Sequence, residues 1–182
     1  MNRVRLFFKD LSEVVGGNGF SVVRLVDAEE QRAVGIIIDK PTSDQLTWRI
    51  RRVPGREKML PEVLSSLLIA DSGINSLELM VYDVCEGQYQ TTLLHRNTLS
   101  LRSIRISDAV LLHYIAKVPL YMDAALLLRQ SVPYVAQQTG ISIPINTLDT
   151  DRLNRELQRA IDDEDYRLAS ILHDELRRRN EH

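Results

Sequence analysis

Cysteine is nearly missing from this sequence: Cys85 is the only one among 182 residues. One thiol cannot close a disulfide within the chain, which excludes a disulfide-stapled fold and suits a reducing compartment. Long apolar runs are also missing. No stretch approaches the roughly 18 apolar residues of a membrane helix. The first ten residues carry Arg3, Arg5 and Lys9 but too short an apolar run for the core of a signal peptide. A cytoplasmic chain with no membrane contact is the expectation. Charge of one sign is not in excess either. The 23 Lys and Arg against 25 Asp and Glu leave a formal net charge of -2. Proteins that coat polyanions are strongly basic, so only a local basic groove is open to this one. His95, His113, His173 and His182 show no ligand spacing, and nothing resembles a zinc cluster. A Gly-rich phosphate loop is lacking as well. Gly16-Gly17-Asn18-Gly19 has no lysine and no strand-to-helix context, and reads as a hairpin turn.

What is present suits one medium domain with a small appendage. Apolar residues make up 44%, enough for a core. Residues 4–8, 20–26 and 33–38 are Val- and Ile-rich runs separated by polar turns, a meander-like strand pattern. The period then changes. After Pro41 and Thr42, Leu46, Ile50 and Val53 recur at helical spacing. Pro61 sits where a helix starts, because its missing N–H is harmless in a first turn. Val63, Leu64, Leu67 and Leu68 follow as a wide apolar face, with Gly73 as the stop. Strands are expected over 74–84 and 88–94, around the turn Cys85-Glu86-Gly87, and over 98–104. Ser107 resembles an N-cap with Asp108 in the first turn of a mostly buried helix over 109–116. A short strand over 120–122 and one or two short helices over 124–138, broken near Pro133, complete the body. The fold class is α+β, with a mixed, largely antiparallel sheet and packed helices.

From Asp151 the chain turns charged and has no Gly or Pro. Leu153, Leu157 and Ile161 recur every four residues. Glu164-Asp165 interrupts them, and Tyr166, Ala169, Leu172 and Leu176 resume. Two amphipathic helices joined by a tight acidic turn account for this. Helices this short are marginal alone, so the hairpin must dock on its own domain, a second copy or a partner. The expected division is a body over 1–140, a linker over 141–150 and a helical hairpin over 151–182.

Several residues carry candidate chemistry. Asp108 suits a hard cation such as Mg²⁺ or Mn²⁺ that would polarise a phosphate and activate water. Equally, Ser107 and Asp108 suit a plain helix start. Free amides at a helix N-terminus also hold phosphate without catalysis. Arg105, just before them, suits bidentate contact to phosphate. Trp48 with Arg49, Arg51 and Arg52 could track a nucleic-acid backbone and stack a base, or form a solvated helix face. His113 lies on an otherwise apolar helix and reads as packed or paired. Asp162-Asp163-Glu164-Asp165 reads as a solvated turn.

The segment Arg105-Ile106-Ser107-Asp108-Ala109, with Val118-Pro119-Leu120-Tyr121-Met122-Asp123 after it, resembles the bifunctional nuclease domain family over about residues 1–140. The resemblance implies nuclease activity on RNA and DNA. It makes Asp108 the metal-binding carboxylate, with Arg105, Ser107, Asp44 and Glu62 as further candidates. Where that family has Thr-His-Asp-Leu, this chain has Met59-Leu60-Pro61-Glu62, without the histidine. That departure supports an alternative reading, a catalytically degenerate oligomeric scaffold or adaptor. Residues Leu153 to Leu176 resemble the UVR motif of the UvrB and UvrC excision-repair proteins, through Leu153, Leu157, Ala160, Glu164, Asp165, Tyr166, Ala169, Leu172, Asp174 and Leu176. This resemblance implies a protein partner, with Leu153, Leu157, Tyr166, Leu172 and Leu176 as its contacts. Homo-oligomerisation is expected from the apolar stretch 110–128 and from the hairpin's need for burial.

Overall fold

The Val- and Ile-rich runs form strands because β-branched side chains pack well on a pleated surface. The computed structural model describes residues 2–13, 20–73, 76–136 and 144–180. Strands β1 (Arg3–Glu13), β2 (Ser21–Asp27) and β3 (Arg32–Ile38) make an antiparallel meander. The Gly16–Gly19 turn expected between β1 and β2 lies outside the described residues. Helices α1 (Lys40–Ile50) and α2 (Leu60–Ser72) follow, with a 3₁₀ turn at Arg56–Lys58 between them. Next come β4 (Leu77–Cys85), β5 (Gln88–His95) and β6 (Ser100–Ser103), then helix α3 (Ile106–Ala116). Strand β7 (Leu120–Asp123), helix α4 (Ala124–Gln130) and strand β8 (Val132–Pro133) close the body. The second short helix expected near Pro133 is instead this two-residue edge strand, paired with Arg32 and Ala33. Proline is tolerated at such an edge because it has no ladder N–H to give.

The strands form one eight-stranded sheet in the order β6-β5-β4-β7-β1-β2-β3-β8. Every neighbouring pair is antiparallel except β4 with β7. Leu6, Val23, Leu25, Val34, Ile36, Leu79, Val81, Leu120 and Met122 are buried on the sheet and share one core with Ala109, Val110 and Leu111 of α3. The stretch 110–128, expected to drive oligomerisation, is thus largely used up inside the body: Val110, Leu111, Ala116, Val118, Leu120, Met122, Leu126 and Leu127 are all buried.

Capping follows the expected chemistry in two places. Pro61 starts α2, and Gly73 ends it at a φ of 74°. Ser107 is a correction. It is not the cap of α3 but its second residue; Arg105 is the N-cap, and no side chain caps the first turn. The larger correction concerns α2. Its inward residues are Glu62, Ser65 and Ile69, while Val63, Leu64, Leu67 and Leu68 are exposed. The wide apolar face points away from the core.

The C-terminal segment forms α5 (Thr150–Asp162) and α6 (Tyr166–Asn180), packed as a hairpin. Leu153, Ala160 and Leu172 are its buried centre, with Ile145, Leu148, Leu157, Leu168, Ala169 and Leu176 around them. Residues 144–149, expected as linker, carry a 3₁₀ turn at Ile145–Thr147 and lie against the body. Gly87 shows how closely. It has a φ of 79°, and a Cβ there would stand 2.6 Å from the Leu148 carbonyl oxygen. Arg179 donates to the carbonyls of Leu148 (2.8 Å) and Asn146 (3.1 Å). The Arg152 guanidinium lies 3.6 Å above the Phe20 ring. The docking that the short helices require therefore includes contact with their own body.

One buried charge ties the sheet together. Glu78 on β4 is 2% exposed and pairs with Arg3 of β1 and with Arg96 after β5. Desolvating a carboxylate is costly unless cations compensate it, and removing one partner strands the others. Both arginines are partly exposed, which softens that loss. Glu78→Ala should therefore cost about 2 kcal/mol, read as a lowered urea midpoint. A midpoint equal to wild type would show that the cluster adds no net stability.

Candidate functional site

Helices α1 and α3 lie side by side and point the same way. At one end, their caps Asp39 and Arg105 touch. At the other, Arg49 and Arg52 share a small cleft with Tyr114 and Ile115. Two helix N-termini, each carrying partial positive charge, therefore open at one place. Asp39 caps α1 by accepting from the Thr42 amide at 2.8 Å, and Pro41 occupies the first turn. A hydroxyl contact between Ser21 and Ser43, 2.7 Å apart and buried, fixes α1 to β2.

Arg105 organises this end. Its Nε and Nη2 grip the Asp108 carboxylate at 2.8 and 3.0 Å, a two-pronged contact. Its Nη1 reaches Asp39 Oδ2 at 3.0 Å. Its side chain is 66% exposed and that of Asp108 is 41% exposed, so the entrance to α3 is open to solvent. Partial burial works to raise the Asp39 carboxyl. Hydrogen bonds from Thr42 and the charge of Arg105 outweigh it, leaving Asp39 below the usual carboxylate range. Beside these residues lies a cleft of about 500 Å³, lined by Asp39, Tyr89, Arg105, Ser107, Thr147 and Arg152. Its walls come from the body and from the start of the hairpin. Tyr89 is 7% exposed, and burial pushes its phenol above the ordinary tyrosine range. Burial likewise lowers Arg152, against the opposing charge of Asp149.

The other expected site residues lie elsewhere. Asp44 takes Lys40 Nζ at 2.6 Å along α1. Glu62 accepts from Nε and Nη2 of Arg49, both at 2.6 Å. Arg49 is 5% exposed and also donates to Gln45, so its guanidinium is spent inside the fold. Arg51, Arg52 and Trp48 are exposed. The three carboxylates expected to share a metal are thus each held by their own cation, in separate places. Among the described residues no group of three or more His, Cys, Asp or Glu could hold a metal ion. At Arg105 the nearby carboxylates, Asp108 and Asp39, already share one arginine. This donor set does not fit Mg²⁺ or Mn²⁺, which bind through hard oxygens left free for them.

His113 is buried, and its Nδ1 lies 2.8 Å from the Val118 carbonyl oxygen, which takes the ring N–H. Burial lowers its pKa, so the ring is a neutral structural link at the end of α3. Asp39 is the residue that sequence reasoning missed. An aspartate two places before Pro41 was a legible cap signal, but its meeting with Arg105 spans 66 residues of sequence.

In the hairpin, Leu153 and Leu172 are fully enclosed, and Leu157 and Leu176 pack on them. These four, expected to touch a partner, form the hairpin's own core. Tyr166 is 70% exposed. The family model described as UvrB/uvrC motif matches residues 150–179, which are α5, the acidic turn and nearly all of α6. Residues 150–179 are a UVR motif. The UVR hairpin supports a protein-interaction or DNA-related role. No curated protein matches the chain. No helix among the described residues is long and apolar enough to cross a membrane.

The Asp39 carboxyl ties the site to pH. Its folded pKa is lowered, so it stabilises the fold above the pKa of the unfolded carboxyl. That contribution is lost as pH falls through the folded value. In Arg105→Ala the folded value should rise, narrowing the acid window over which stability changes. A ¹³C-carboxyl NMR titration reads this directly. An unmoved Asp39 would assign the whole shift to the Thr42 cap.

Proposed function

We propose that this chain is a nucleic-acid-directed adaptor, with a UVR hairpin that captures a partner protein and an α+β body that holds phosphate at Arg105. The observation that carries the reading is how the hairpin distributes its apolar residues. Its leucines are spent between α5 and α6, while Ile161 and Tyr166 stand exposed on either side of Asp162-Asp163-Glu164-Asp165. An aromatic anchor beside an acidic turn suits a partner with an apolar notch rimmed by basic residues. The body supports the second half. Arg105 is exposed where two helix N-termini open, and it is already arranged to grip an oxyanion with two prongs. A backbone phosphate would compete with the Asp108 carboxylate for the same prongs. Exposed Arg51, Arg52 and Trp48 offer further contacts for RNA or DNA.

A second reading has one observation in its favour. Asp108 is open to solvent at the entrance to α3, where the resemblance to bifunctional nucleases places a catalytic carboxylate beside Ser107. On this reading the chain hydrolyses phosphodiester bonds, and the substrate phosphate must first draw Arg105 away from Asp108. The donor set around Asp108 counts against it, because that carboxylate is neutralised and isolated from Asp44 and Glu62.

The two readings separate in one set of assays. As an adaptor, the purified chain binds a single-stranded oligonucleotide without cutting it in Mg²⁺ or Mn²⁺. Arg105→Glu then weakens binding by about tenfold or more, about 1.4 kcal/mol, by fluorescence anisotropy. Cleavage that disappears in Asp108→Asn would establish the nuclease reading instead. Tyr166→Glu should abolish capture of the hairpin's partner while the fold stays intact by circular dichroism. Undiminished capture would show that the hairpin tip is not the adaptor surface.

A further inference from the structure

Helix α2 is packed inside out. Three positions face the body: Glu62 bound to Arg49, buried Ser65, and Ile69 against the core. Five large apolar side chains face away. Leu60, Val63, Leu64, Leu67 and Leu68 are between 40% and 69% exposed. They fall at spacings of three and four along the first nine residues of a 13-residue helix, so they form one stripe about 12 Å long. No formal charge interrupts the stripe. A contiguous apolar patch of this kind on an isolated protein marks an interface.

We propose that this stripe is a self-association surface, on which α2 packs antiparallel against α2 of a second copy about a two-fold axis. Three features single out a second copy as the occupant. The first is area. The stripe offers on the order of 500 Å² of exposed surface, within the range of a monomer's largest patch. Paired with its own image it would bury about 1,000 Å², the least that a specific interface needs. The second is composition. A face of leucine and valine, without charge or hydrogen-bonding groups, complements another face like itself, and a two-fold axis places such a patch on its own copy. The third is charge at the helix ends. The 3₁₀ turn that leads into α2 carries Arg56 and Lys58 with Glu57 between them, which leaves it net positive. Antiparallel pairing sets this basic turn beside the carbonyl end of the partner helix, where the helix dipole is negative.

The proposal is independent of the UVR hairpin and of the Arg105 site. It also moves the expected oligomer contact from residues 110–128, which are largely core, to α2.

Sedimentation velocity of the full chain tests it. The wild type should sediment as a dimer from low to high micromolar concentration. Leu64→Glu and Leu67→Glu should each weaken the dimer by at least about 100-fold, giving a monomer with unchanged circular dichroism. Both residues are exposed, so neither change disturbs the core. Tyr166→Glu, on the hairpin, should leave the dimer intact. As an independent reading, Leu64→Cys in a Cys85→Ser background should form a disulfide-linked dimer under mild oxidation, because the middle of the stripe faces its own copy. The proposal is overturned if the wild type is monomeric throughout that range. It is overturned equally if the dimer survives both glutamate substitutions, or if Tyr166→Glu dissolves it.

Discussion

Burial of helix α3 against the sheet is the constraint on which the rest of the body depends. Ile106, Ala109, Val110, Leu111 and Ala116 are all enclosed, so this helix cannot sit at the surface. It must have the sheet on one side and other helices around it. Phe8 of β1 meets Tyr114 of α3 edge to face, with ring centroids 4.8 Å apart. Helices α1 and α2 then pack on α3 rather than on a core of their own. That explains why α1 and α3 share one open end, and why α2 needs only Glu62, Ser65 and Ile69 to hold its place.

The same arrangement sets the electrostatics of the candidate site. Two parallel helices bring two positive ends together, and Asp39 and Asp108 offset that charge. Arg105 joins the two carboxylates and remains exposed. The result is a closed set of charge pairs beside a cleft. It is poorly suited to holding a divalent cation, because each nearby carboxylate is already neutralised. The hairpin contributes one wall of that cleft through Thr147 and Arg152.

Much of the fold was legible in order and type. Strands at β1 to β7, the proline-led start of α2 and its glycine stop followed from period and turn chemistry, because these act over a few residues. Ser107 resembles a cap because Ser-Asp before an apolar run is a strong local signal, whereas the backbone turns helical two residues sooner than such a cap requires, at Ile106. The hairpin's leucines were legible as an apolar stripe. Their partner was not, because a helix stripe does not say whether its own hairpin or another protein covers it. Arg49 and Glu62 were read in two unrelated roles, and the structure joins them across 13 positions.

By itself the sequence determined the α+β class, the order of elements, the two-helix tail and its UVR pattern. Each of these is encoded in short-range periodicity or in local caps. Only the tertiary structure decided which charges meet: Arg105 with Asp39 and Asp108, Arg49 with Glu62, and Glu78 with Arg3 and Arg96. It also decided that the apolar face of α2 points outward while its glutamate and serine point in. These are matters of which face of one element meets another across tens of residues. The energy that settles them is the burial of the whole core, which no local window contains.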